Sequence, residues 1–247
     1  MKLRLEQIGH SYFGKSVIEN LSLALASGEV VALIGPSGCG KTTILQIAAG
    51  LVDATSGSIT RAYSRHAVVF QEPRLLPWMT TLDNIAYGLR VSGTPRGAAR
   101  AAAAERALQV GLEVGDFAKY PVELSGGMRQ RAAVARALAV RPEVLYFDEP
   151  FTAVDVGLKR VLQDLVIEAA ARESFSALFV THDLAEAVRI ADRLLVLSTR
   201  QGGVIAEHDI AGLPGQRSNR EIFELVEEWS SDPAFAELFG HEDRVRA

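Results

Sequence analysis

A chain of 247 residues with 48% apolar and 23% charged side chains can bury a full core and has an ordinary globular composition. Its 26 basic and 30 acidic residues leave a formal charge of -4 and are mixed along the chain, which excludes a nucleic-acid surface driven by charge alone. The single cysteine, Cys39, excludes an internal disulfide. No apolar run approaches the length of a membrane span, and the first residues carry no cleavable apolar segment, so neither spanning nor export is expected.

Residues 3–8 alternate as LRLEQI, and Leu21, Leu23 and Leu25 alternate again before Ser27-Gly28, which predicts half-buried strands ending in a turn. Val30 to Ile34 is a continuous apolar run suited to a sheet interior, followed by a glycine-rich turn and a helix predicted over Thr42 to Leu51. Val68 to Phe70 predicts another short strand. From about Thr81 to Gly111 helical sequence replaces strands. The alanine-rich stretch ARAAAAERALQVGL reads either as a linker or, from its periodic Leu108 and Val110, as packed helix, and the second reading is favoured. Strands return at Val144 to Phe147 and Ala177 to Val180, with a helix over Val156 to Ala171 between them. Leu194 to Ser198 and Val204 to Glu207 predict a final strand pair, and Asn219 to Gly240 an amphipathic helix. Strand–helix alternation around a glycine-rich turn implies an α/β fold with a mostly parallel core sheet.

GPSGCGKTT, from Gly35 through Pro36, Ser37, Gly38, Cys39, Gly40, Lys41 and Thr42 to Thr43, has the spacing of a phosphate-binding loop between a buried strand and a helix. The three glycines let backbone N–H groups turn inward around phosphates. Lys41 reaches the terminal phosphates as a point charge, and the Thr42 hydroxyl suits a Mg²⁺ shell. Cys39 is read as a tolerated small residue whose alkylation would block nucleotide access. VLYFDEP, residues 144–150, is an apolar strand ending in two acids. Asp148 is placed to hold Mg²⁺, and Glu149 to orient or deprotonate an attacking water.

LSGGMRQR, from Leu124 to Arg131, puts Ser125, Gly126 and Gly127 before a helix running through Ala139, which makes an anion site at a helix start. Together with the phosphate loop and Asp148–Glu149, in this order, the segment resembles the signature of ABC-type ATPases over residues 3 to 210. The resemblance implies a P-loop NTPase with an antiparallel β subdomain. It also implies a helical lobe at about residues 72–138 inserted in an ATPase domain of residues 1–210, and a C-terminal helical extension of residues 211–247. It implies ATP and Mg²⁺ as cofactors, ATP hydrolysis, and a homodimer in which Leu124, Ser125, Gly126, Gly127 and Met128 close on the partner's ATP. By the same resemblance Tyr12 stacks on adenine, with neighbouring Phe13 competing for that role. Gln71 touches Mg²⁺ and the attacking water, Asp155 crosses the dimer interface, and His182, in VTHD, contacts the γ-phosphate. Thr42, Gln71 and Asp148 form the implied Mg²⁺ set. The VGLKR stretch after Asp155 departs from the usual helix start and predicts altered packing without lost activity.

The segment FQEPRLLPWMTTLDNIAYGLR, residues 70–90, holds Leu75, Leu76, Trp78 and Met79 between Pro73 and Pro77 and beyond. It reads as lobe core, with any exposed remainder a socket for a partner helix. It resembles that of the importer ATPases for nitrate, taurine and other sulfonates, and thiamine-pyrimidine precursors. That resemblance implies integral membrane permease subunits, an extracytoplasmic solute-binding protein, and a peripheral place on the cytoplasmic side of the inner (plasma) membrane, with no nucleic-acid partner. An exporter motor or a non-transport ABC ATPase are the alternatives.

Overall fold

The computed structural model describes residues 1–152, 154, 156–199, 203–232 and 235. Its strands are β1 (Leu3–Tyr12), β2 (Lys15–Leu25), β3 (Val30–Ile34), β4 (Ser56–Arg61), β5 (His66–Val69), β6 (Val144–Asp148), β7 (Ser176–Thr181), β8 (Arg193–Leu197) and β9 (Val204–Asp209). The helices are α1 (Lys41–Ala49), α2 (Thr81–Val91), α3 (Arg96–Gln109), α4 (Gly126–Ala139), α5 (Val156–Glu173), α6 (Leu184–Ile190) and α7 (Asn219–Ser230). The chain forms two compact units, Met1–Tyr63 with Ser176–Ala247, and Ser64–Phe175.

In the first unit β1 pairs antiparallel with β2 on one side and β4 on the other. Leu3 and Leu5 are buried while Arg4 is exposed, as alternation demands. A register shift between Leu5 and Ile8, with Gln7 at φ 51°, returns Ile8 and His10 to the buried face. β3 lies between β7 and β8 and is parallel to both, and β9 closes β8 antiparallel. Every residue of β3 and β7 is buried, the pattern of strands covered on both faces. β4 and α6 have no counterpart in the sequence expectations. SGSITR is mostly exposed and carries little apolar signal, and α6 is two turns long. α7 ends at Ser230, where the Ser231 and Asp232 N–H groups turn back to Glu228 and Trp229 carbonyls; of the rest of the helix expected to Gly240, residues 233, 234 and 236–240 lie outside the described residues. Ser218 and Glu221 begin it with a reciprocal capping box.

The tail joins the first unit through Arg217. Its buried guanidinium donates to five carbonyls, those of Val188, Ala191, Ile210, Ala211 and Gly212, and so ties the end of α6 to the turn after β9. His208 on β9 lies against the rings of Trp229 and Phe235 at 5.0 and 5.4 Å.

In the second unit β5 and β6 pair parallel, and α2, α3 and α4 pack on one another. The alanine-rich stretch is packed helix, and of the two residues expected to pack it Val110 is buried and Leu108 is not. Ala99, Ala103 and Ala107 are fully buried at four-residue spacing, whereas Leu108 is 52% exposed. Small side chains on one stripe let the helix approach closely, so the apolar signal lies in the alanines.

Candidate nucleotide site

Within the first unit, Ile34 of β3 pairs with Thr181 of β7. The phosphate loop after Ile34 and His182 after Thr181 therefore leave the sheet at neighbouring carboxyl ends, where α/β sheets bind their ligands. Three glycines shape the loop. A Cβ on Gly35 would lie 2.8 Å from the Leu197 carbonyl oxygen and 2.7 Å from Cys39 Sγ, so the first position has no room for a side chain. Gly38 and Gly40 sit at φ 84° and 95°, in the left-handed region. Gly40 is the N-cap of α1, which starts one residue earlier than expected, so Lys41 is its first helical residue. Lys41 is buried inside the loop, its Nζ donating to the Gly35 and Pro36 carbonyls at 2.6 and 3.0 Å. Thr42 is exposed at the first turn of α1 and Thr43 half-buried. Cys39 is buried at 3% exposure, so its thiol does not face solvent.

The β1–β2 hairpin turns through Phe13 and Gly14, both at positive φ (50° and 80°), as a two-residue type I′ connection. Phe13 is fully exposed at the tip. Tyr12 is 42% exposed and meets the His10 ring edge-on at 4.5 Å. Val17 on β2 would stand 3.3 Å from a Cβ on Gly40, so this hairpin borders the start of α1.

Within the second unit, Val69 of β5 pairs with Phe147 of β6, which brings Gln71 and Asp148–Glu149 to the same end of the strand pair. Asp148 is buried as the last residue of β6, and Gln71 is exposed. Glu149 takes φ 45°, a conformation rare for a side chain with Cβ and typical of residues held by functional sites. The Thr152 hydroxyl donates to its carboxylate at 3.2 Å.

Ser125 caps α4, accepting from the Met128 N–H at 3.2 Å, and Leu124 is buried behind it. The helix begins at Gly126, so Gly126 and Gly127 form its first turn instead of preceding it. Leu158 of α5 presses its side chain on Gly127, where a Cβ would collide with Leu158 Cδ2. Asp155 lies outside the described residues.

Two residues that sequence reasoning missed hold the segment before α2. Asn84, fully buried, accepts from the Leu76 N–H and donates to the Leu76, Met79 and Thr80 carbonyls. Arg136 donates to the Pro73 and Arg74 carbonyls at 2.8 Å, and burial pulls its guanidinium below the usual arginine value. Neither position carries a motif; both are read only from what surrounds them. The segment so fixed leaves Trp78 69% exposed, with Leu75, Leu76 and Met79 half-buried.

The sequence profile described as ABC transporter matches residues 18–152. The aliphatic sulfonates import ATP-binding protein SsuB 1 of Pseudomonas syringae pv. syringae is 43% identical over 221 residues, covering 90% of both chains. The aliphatic sulfonates import ATP-binding protein SsuB of Corynebacterium glutamicum is 41% identical over 213 residues and 86% of both. Among solved structures, the dimeric structure of MJ0796, a bacterial ABC transporter cassette, superposes with a TM-score of 0.78 at 28% identity over 85% of this chain and 100% of that one. A post-hydrolysis state of the same cassette bound to ADP and Pi gives 0.77 at 27% over the same shares. With these relatives and this phosphate loop, the chain belongs to the ABC transporter family, as one of its ATP-binding and ATP-hydrolysing cassettes.

Proposed function

We propose that this cassette powers import of an aliphatic sulfonate or a related small solute, working as a homodimer bound to integral membrane permease subunits and supplied by an extracytoplasmic solute-binding protein. The observation that carries the substrate class is the likeness, over nine-tenths of the chain, to proteins named for aliphatic sulfonate import. Among the described residues no helix is long and apolar enough to cross a membrane. The likeness to import ATP-binding proteins supports a permease made by a separate chain and a peripheral place for this subunit on the cytoplasmic face. The domain division is a cassette over residues 1–210, with the helical lobe at about 72–138, and an extension over 211–247.

ATP phosphates are assigned to residues 35–43. On binding, the Lys41 ammonium exchanges its two neutral loop carbonyls for charged phosphate oxygens, which gives the buried cation a stronger, charge-paired contact. Tyr12 is assigned to stack on the adenine, with the fully exposed Phe13 beside it as the alternative ring. Thr42, Gln71 and Asp148 would hold Mg²⁺, a hydroxyl, amide and carboxylate oxygen set of the hard kind this ion prefers, and bound there it would neutralise phosphate charge. Glu149 orients the attacking water, Gln71 assists it, and His182 faces the γ-phosphate. Leu124 to Met128 and Asp155 serve the partner's ATP across the dimer. The exposed Trp78 face, held rigid by Asn84 and Arg136, receives the permease helix.

The test is uptake of a radiolabelled alkanesulfonate by cells in which this chain is replaced by Lys41→Ala, with mild-detergent purification of the wild-type complex. Loss of uptake and recovery of a multi-span membrane protein are expected. Unchanged sulfonate uptake would remove the substrate class, and recovery of soluble partners alone would remove the transport role.

A further inference from the structure

His182 is exposed on the short loop between β7 and α6. The residues on either side of it are fixed by a fourth residue. Thr181, 2% exposed, donates its hydroxyl to Glu186 Oε2 at 2.5 Å, and the same hydroxyl accepts the Asp183 N–H at 3.0 Å. Asp183 Oδ1 in turn accepts the Glu186 N–H at 3.1 Å as the N-cap of α6. The result is a closed ring of hydrogen bonds running carboxylate, hydroxyl, backbone N–H, carboxylate and backbone N–H, with the His182 peptide unit inside it. Glu186 supplies both ends of that ring and is 5% exposed.

A cap for α6 needs only the Asp183 side chain and the Glu186 backbone. It does not need a buried carboxylate at 186 turned back onto the strand end, which is where the Thr181 hydroxyl meets it. Thr181 is anchored by its pairing with Ile34, the residue immediately before the phosphate loop. The ring therefore references His182 to the same strand end that carries Gly35 and Lys41. We propose that Glu186 is a positioning residue for His182: through Thr181 and Asp183 it holds the histidine backbone at a fixed place beside the phosphate loop. This rests on the assignment of His182 to the γ-phosphate.

The experiment is steady-state ATPase kinetics on the purified full chain carrying Glu186→Met, Glu186→Gln, Thr181→Val and His182→Ala, with each melt recorded to show folding at the assay temperature. A loosened histidine costs turnover and leaves binding, so Glu186→Met and Thr181→Val should each lower kcat by roughly ten- to a hundredfold. KM for ATP should stay within about twofold. Glu186→Gln keeps an acceptor oxygen for the Thr181 hydroxyl and should restore kcat to within about threefold of wild type. Adding Glu186→Met to His182→Ala should reduce the residual turnover no further, because the two act through one group. A purely structural role would lower that residual rate as much as it lowers the wild-type rate, and would overturn the proposal. So would a folded Glu186→Met chain with normal kcat. If His182→Ala itself turns over normally, the γ-phosphate assignment fails first, and the proposal falls with it.

Discussion

Replacing Arg217 by Met tests how the C-terminal segment is held. The methionine keeps the apolar stem and removes every donor, leaving five carbonyls without the guanidinium. Three of the five bonds, to Val188, Ala191 and Ile210, are buried; those to Ala211 and Gly212 are partly open and can rehydrate. Stranding a buried carbonyl costs about 1 kcal/mol or somewhat more. Three of them give a destabilisation of about 3 kcal/mol, with little added by the two that reach water. In a domain of this size each kcal/mol lowers Tm by about 2–4 °C, so the variant should melt roughly 6–12 °C lower. Trp229, 7% exposed, is a reporter within the same unit, and Trp78→Phe silences the other tryptophan. Thermal and urea unfolding followed by Trp229 emission are the measurements. Arg217→Lys, with three donors on a point charge, should recover part of the loss. A shift of less than about 2 °C for Arg217→Met would refute the argument, since it would mean the five bonds are no better than bonds to water.

Glu149→Gln should bind ATP with little change in affinity and hydrolyse it at least about a hundredfold more slowly, accumulating a nucleotide-bound dimer visible by size-exclusion chromatography. Normal turnover would remove Glu149 from its role. Gly35→Ala forces a methyl to within 2.8 Å of the Leu197 carbonyl, so it should lose about 1–3 kcal/mol of stability and most nucleotide affinity, measured by melting with and without ATP. Ready acceptance of the methyl, with wild-type binding, would contradict the tight approach. Cys39 should react with maleimide slowly in the folded chain and rapidly in urea, because its thiol is buried; equal rates would place it at the surface.

The glycine-rich turn after β3, the buried strand itself and the Ser125-capped start of α4 were legible in the sequence because each is a local backbone requirement. A left-handed turn needs glycine, a helix start favours Ser125 as cap, and a strand buried on both faces needs an unbroken apolar run such as Val30 to Ile34. Such requirements are met by residues adjacent in the chain, so spacing alone carries them. Type and order of most elements follow for the same reason, as does the final strand pair.

What only the tertiary structure decided depends on residues distant in the chain. The alanine stripe of α3 was legible as helix but not as core, because alanine is apolar enough to be buried and small enough to be exposed, and only packing chooses. The positive φ of Glu149, the burial of Cys39 and the Leu158 contact on Gly127 are set by neighbours that no spacing rule connects. Asn84, Arg136, Arg217 and Glu186 read in the sequence as ordinary polar residues of helices and loops. They matter because folding leaves carbonyls and hydroxyls away from water, and each such group must then find a partner wherever the fold has brought one.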